Sequence, residues 1–183
     1  MFLPQRPYLP LGTLRAALCY PAPADAFQDA EVQAALERCG LGELMAALDR
    51  SQRWDQTLSL GQQQRVAFAR LLLHKPRWVF MDEATSALDD RNQASMLALF
   101  ENELAGASVL SIGHRPGLAE FHTRSLHIRK TKRGAVLSSL PQDRMAAGEI
   151  QIAAFSASGN PPIRGVQRPQ PRRQTPRRGV LVS

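Results

Sequence analysis

Two acids, Asp82 and Glu83, stand side by side directly after the apolar run Trp78, Val79, Phe80 and Met81. Adjacent carboxylates can divide two tasks. One holds a hard cation through oxygen, and the other draws a proton from water. Ser59, 23 residues before Asp82, and Gly61 open a helical pattern. The unsatisfied N–H groups at a helix start, with the dipole behind them, attract an anion. Ser59 adds a hydroxyl donor, and Gly61 lets the backbone approach a phosphate closely. An anion site, a cation-type acid and a second acid for proton chemistry together point to nucleoside triphosphate hydrolysis.

Those residues need elements to place them. The run 78–81 is rich in aromatic and branched residues and suits a strand buried on both faces. Acids at the C-terminal end of such a strand lie where ligands bind in open α/β sheets. A helix over 61–74 precedes it and stops before Pro76. A helix over 89–105 follows, with Leu97, Phe100 and Leu104 on one face. Residues 107–112 read as a second buried strand, which ends just before His114. Upstream, Phe2 and Leu3 read as the end of a strand, and Pro4, Pro7 and Pro10 then break regular structure around Gln5. Thr13 is placed to cap a short helix through Leu18. Val32, Ala35, Leu36 and Cys39 fall at i, i+3, i+4 and i+7. Gly40 stops that helix, and Leu41, Leu44, Met45 and Leu48 repeat the stripe. Both stripes read as core. Residues 124–129 and 135–140 read as a hairpin around Gly134.

The motifs and their order resemble the ATP-binding domain of ABC transporters, over roughly residues 1–140. LSLGQ is similar to that family's signature motif, with Leu60 where many members carry a second glycine. VFMDE resembles its Walker B strand, SALD (residues 86–89) its D-loop, His114 in SIGHR its switch histidine, and Gln5 in FLPQRPYLP its Q-loop glutamine. LSLGQQQRVAFARLLL and LPQRPYLPLGTLR look more like the subfamily D branch, which includes peroxisomal fatty-acyl and bacterial peptide or vitamin B12 transporters. The resemblance implies an α/β fold, a partial P-loop NTPase of the three-layer ABC ATPase type with a helical subdomain between Gln5 and the signature. It also implies ATP and Mg²⁺ as ligands. Asp82 would hold the metal through water, Glu83 would polarise or deprotonate the attacking water, and Gln5 would bridge the two. His114 would hold the γ-phosphate. Ser59, Gly61 and Gln62 would meet the γ-phosphate of ATP held by an opposite subunit, and Asp89 would help couple the two sites.

Composition bounds these expectations. At 183 residues and 44% hydrophobic, the chain is long enough for one packed domain. It contains no apolar run of 18 residues and no basic, then apolar, leader. Cys19 and Cys39 fit neither a zinc spacing nor a disulfide framework. The net charge of +7 is unevenly spread: residues 1–123 hold 11 basic and 14 acidic side chains, and residues 124–183 hold 12 and 2. Residues 141–183 read as a disordered basic tail rich in Pro and Arg.

No Gly in the sequence is followed by Lys, so the phosphate-cradling G-x-x-x-x-G-K-[ST] motif is not present. The resemblance therefore implies that Met1 begins partway through the ATPase domain. The expected function is the ATP-binding and hydrolysing part of a transporter, coupling hydrolysis to transmembrane transport. The expected partners are a transmembrane domain and a second ATP-binding domain in a head-to-tail dimer, at the cytoplasmic face of the inner (plasma) membrane. Membrane contact would come only through that transmembrane partner, and nothing in the resemblance points to nucleic acid. The alternative is a catalytically dead truncated product whose basic tail binds anionic polymers.

Overall fold

The computed structural model describes residues 1–113, 118, 121–122, 124–131, 134–140 and 151–156. Its centre is a six-stranded mixed sheet. Strand β1 (Phe2–Leu3) pairs in parallel with β4 (Trp78–Asp82), and β4 pairs in parallel with β5 (Ser108–Gly113). The sheet continues antiparallel through β8 (Gln151–Ser156), β6 (Arg124–Thr131) and β7 (Gly134–Leu140), in the order β1-β4-β5-β8-β6-β7. A separate two-stranded ribbon joins β2 (Gly12–Thr13) to β3 (Ser51–Gln52).

The helices follow local rules. Thr13 accepts a hydrogen bond from Ala16 N at 3.1 Å and opens α1 (Leu14–Cys19). In α2 (Asp29–Arg38) the stripe Val32, Ala35 and Leu36 is buried, and Gly40 turns the chain at φ 65°. The ribbon is anchored by Trp54, the first residue of α3 (Trp54–Thr57), whose indole N–H donates to Gly12 O at 3.1 Å. Helix α4 (Leu60–His74) buries Val66, Phe68 and Leu71. It lies in one hydrophobic cluster with Leu3, Val79, Met81, Met96, Phe100 and Val109. Helix α5 (Asp90–Leu97) completes the set. Among the described residues, no helix is long and apolar enough to cross a membrane.

Four expectations change. The stripe Leu41–Leu48 forms a 3₁₀ helix over Gly42–Ala47 instead of an α-helix. Glycines at 40 and 42 leave too short a segment to nucleate an α-helix, yet Leu41 and Leu48 still reach the core. The helix expected over 89–105 ends at Leu97 and tightens to a 3₁₀ turn, Ala98–Phe100. There the Asn102 amide donates to Ala98 O at 2.7 Å, competing with the backbone. Leu97, Phe100 and Leu104 are buried as expected.

Strand β4 is not buried on both faces. Val79 and Met81 are buried, but Trp78 is 48% and Phe80 43% exposed. Phe2, the register partner of Phe80, is 60% exposed on the same face. An apolar run cannot say which of its two faces is covered.

Finally, the sheet does not end with the hairpin. The expectation of a tail from residue 141 is corrected by β8, whose six residues run antiparallel to β5 and reach β6. The segment QIAAFS is short and alanine-rich, and its order comes from pairing on both edges with distant strands. The hairpin itself forms as read, with Gly134 at φ 117° where its second strand begins. The remainder of 141–183 lies outside the described residues.

Candidate functional site

The site forms where α4, β4 and the loop after β1 meet. Ser59 caps α4: its Oγ accepts from Gln62 N at 3.2 Å, and Gln62 Oε1 accepts from Ser59 N at 3.0 Å. This reciprocal box leaves Ser59 exposed and Gly61 and Gln62 half-buried at the helix start. Gln62 Nε2 reaches Glu43 Oε1 at 3.4 Å. At Gly61 a Cβ would stand 2.9 Å from Ala87 O, so the helix start touches the turn after β4 directly.

At the end of β4, Asp82 and Glu83 are half-buried. Glu83 N donates to Ile112 O at 2.9 Å and so extends the sheet register, while its own φ of 47° turns the chain off the strand. A left-handed conformation is unusual for a residue with a side chain, and such residues concentrate at functional sites. Gln5 Nε2 donates to Glu83 Oε2 at 2.9 Å across 78 residues of chain. That bond leaves the Gln5 amide oxygen as an acceptor.

Asp89 is exposed and caps α5, its Oδ1 accepting from Asn92 N at 2.7 Å. That backbone hydrogen bond is the main reason its carboxyl lies below the usual aspartate range. The structure thus joins Gln5 to Glu83, which directly follows Asp82 at the end of β4, and sets Ser59, Gly61 and Gln62 at the start of the helix that abuts the same turn. Asp89 follows that turn as the cap of α5, near enough to Arg65 of α4 for the two charges to interact. His114 follows β5 but lies outside the described residues. Among the described residues, no three His, Cys, Asp or Glu side chains cluster as a metal cage.

Sequence reasoning missed Gln64. It is fully buried, and its amide nitrogen lies 2.9 Å from Gln5 O, 3.2 Å from Ser86 Oγ and 3.3 Å from Glu83 O. Its amide oxygen accepts from Ala87 N at 3.1 Å. A signal existed: Gln64, Ala67, Phe68 and Leu71 stand at i, i+3, i+4 and i+7, so a polar residue heads the buried stripe of α4.

Residues 9–86 match the family model described as "ABC transporter". An uncharacterized ABC transporter ATP-binding protein of Haemophilus influenzae is 42% identical over 137 residues, 75% of this chain and 23% of that protein. ABC transporter D family member 2, chloroplastic, of Arabidopsis thaliana is 36% identical over 70% of this chain and 22% of its own length. The lysosomal cobalamin transporter ABCD4 of Mus musculus is 35% identical over 70% and 22%. Among solved structures, a bacterial Atm1-family ABC exporter with ATP bound superposes with a TM-score of 0.56 at 30% identity, over 64% of this chain and 21% of that one. The chain therefore spans less than a quarter of the length of these relatives.

Proposed function

From the chain's similarity to ABC transporter ATP-binding proteins, we propose that it supplies the water-activating residues of one ATP site and the signature residues of a second, in a pair of sites that drives transmembrane transport. The observation that carries the reading is the 2.9 Å bond from Gln5 Nε2 to Glu83 Oε2, next to Asp82. The donor set fits Mg²⁺: a carboxylate at Asp82 and the spare amide oxygen of Gln5 are hard oxygen ligands, and Mg²⁺ keeps waters and substrate phosphates for its other positions. When bound, the metal neutralises charge on the phosphates.

In this reading Asp82 anchors the metal. Glu83 would accept the proton of the attacking water, and Gln5 orients Glu83 through its amide N–H while its amide oxygen would be available to the metal or the water. His114 stabilises charge on the transferred phosphoryl group. Ser59, Gly61 and Gln62 grip the γ-phosphate of ATP whose other contacts come from a second ATP-binding domain, head to tail, and Asp89 helps couple the paired sites. A transmembrane domain is the third component, and it places the chain at the cytoplasmic face of the inner (plasma) membrane.

The test uses the chain joined to the P-loop segment characteristic of the family. Glu83→Gln should lower the rate of phosphate release by about 10²–10⁴-fold, the usual scale of general-base assistance. Retained ATP should then hold a dimer on size-exclusion chromatography. Asp82→Asn should weaken Mg²⁺-dependent nucleotide binding as well as turnover. Parental turnover by Glu83→Gln overturns the assignment. Alone, the chain should release no phosphate from ATP.

A second reading draws on the excess of 12 basic over 2 acidic residues in 124–183. In that reading the chain is catalytically dead and binds anionic polymers through its basic tail, residues 141–183, with an affinity that falls steeply with salt. Deleting residues 157–183 should remove most of that binding, and binding insensitive to salt would rule the reading out.

A further inference from the structure

Gln64 has a role that the signature motif does not assign. It is 0% exposed, and its amide meets partners from two separate stretches of chain: the Gln5 loop, and the turn that runs from Glu83 at the end of β4 through Ser86 and Ala87. Three acceptors share the two hydrogens of Nε2, and Oε1 takes the Ala87 N–H. A leucine or methionine would fill the same position on the stripe with Ala67, Phe68 and Leu71, so packing alone does not require an amide there. Gly61, one turn earlier on α4, meets the same turn through Ala87 O at the 2.9 Å approach its missing Cβ allows.

We propose that Gln64 is a positioning residue: it locks the helix that presents Ser59 and Gly61 to the Gln5 loop and to the Glu83–Ala87 turn. These groups then keep one mutual geometry, and a displacement of one is passed to the others. The consequence for reaction chemistry rests on the proposed function. The linkage itself does not.

The experiment is solution NMR of the labelled full chain without nucleotide, so that a broken linkage and a failed ATP reading are separate results. Gln64→Met removes all four hydrogen bonds and keeps the volume. Phe68→Leu, on the same helix, serves as a control that lowers stability without touching the amide. The expected signature of Gln64→Met is local. Ala87 N–H exchanges at least about tenfold faster relative to the other amides of α4 and β4, and the carbonyl ¹³C resonances of Gln5 and Glu83 move. Phe68→Leu should raise exchange across α4 and β4 together and leave those carbonyls in place. The proposal is overturned if Gln64→Met accelerates Ala87 only in step with the rest of the core, or if the Gln5 carbonyl does not move. Should Gln64→Met fail to fold, Ser86→Ala takes its place. It removes one acceptor and lets Nε2 settle on the other two, so the Gln5 and Glu83 carbonyl resonances should shift, and unmoved carbonyls overturn the proposal.

Discussion

Ser59 and Gln62 each satisfy the other's backbone amide, at 3.2 and 3.0 Å, and the pair closes the first turn of α4. The same serine is the residue proposed to meet a phosphate, so its two roles need separating. Ser59→Ala should cost about 1 kcal/mol through loss of the cap. Ser59→Asp keeps an acceptor for Gln62 N and places negative charge at a helix start, so the melting temperature of the chain should hold. A carboxylate there repels a γ-phosphate, so ATP-dependent association of the P-loop-completed domain should be lost. If association survives Ser59→Asp, Ser59 is a cap and nothing more.

Gly61→Ala sets two effects against each other. Alanine gains up to about 1 kcal/mol in helix propensity. Its Cβ, however, would sit 2.9 Å from the backbone oxygen of Ala87, a contact that no side-chain rotation relieves. Overpacking of this kind costs about 1–3 kcal/mol, so the net change should be destabilising. A lower denaturant midpoint is the expected outcome, and an unchanged or higher one would mean the 86–88 turn moves aside freely.

Lys75 ends α4 in a left-handed conformation, φ 44° and ψ 55°, with its N–H on Leu71 O at 2.8 Å. Glycine takes that conformation without a Cβ penalty. Lys75→Ala loses the favourable charge at the helix end and keeps the strain. Lys75→Gly loses the charge and relieves the strain. The glycine variant should therefore exceed the alanine variant by about 1 kcal/mol, read from paired urea melts. Equal stabilities would show that the strain is not felt.

His122 is 2% exposed and hydrogen-bonded to the Ser111 hydroxyl, and burial pushes its imidazole down from 6.5 to about 4. At pH 7 both folded and unfolded chains carry it neutral, so its contribution is complete. As pH falls through 6.5 the unfolded chain takes up a proton that the folded chain refuses until about 4. Stability should therefore fall as pH drops across that window, by roughly 3 kcal/mol in all. His122→Gln should flatten this part of the profile when unfolding free energies at pH 7 and pH 4.5 are compared. An unchanged slope would assign the acid sensitivity to other groups.

How far sequence reasoning reached depends on whether the information was local. The Thr13 cap, the Val32–Leu36 stripe, the helix opened by Ser59 and Gly61 and the strand over 78–81 all come from neighbours within a turn or two, and they stand where the spacing put them. Strand β4 was placed correctly, but the exposure of Trp78 and Phe80 depends on what packs over the sheet, which periodicity does not encode. Strand β8 is set by register with β5 and β6, so QIAAFS looked featureless alone. Gln62, Gln63 and Gln64 are chemically identical in a row. Only the direction each takes around α4 makes one a cap partner and another a buried four-way contact. The meeting of Gln5 with Glu83 was legible only through resemblance, because 78 residues separate them.

The chain's two tryptophans occupy opposite situations. Trp54 is 2% exposed with its indole N–H bonded inside the helical part, whereas Trp78 is 48% exposed and stacked on Phe80 on the open face of the sheet. The protein therefore carries two built-in optical reporters. Acrylamide or iodide should quench Trp78 and spare Trp54, and a blue shift confined to the quenchable component would report the moment anything settles over that face. A Trp78→Phe chain isolates the buried indole and reports unfolding of the helical part alone. The same absorbing group that marks an uncovered surface thus makes its covering measurable without any label.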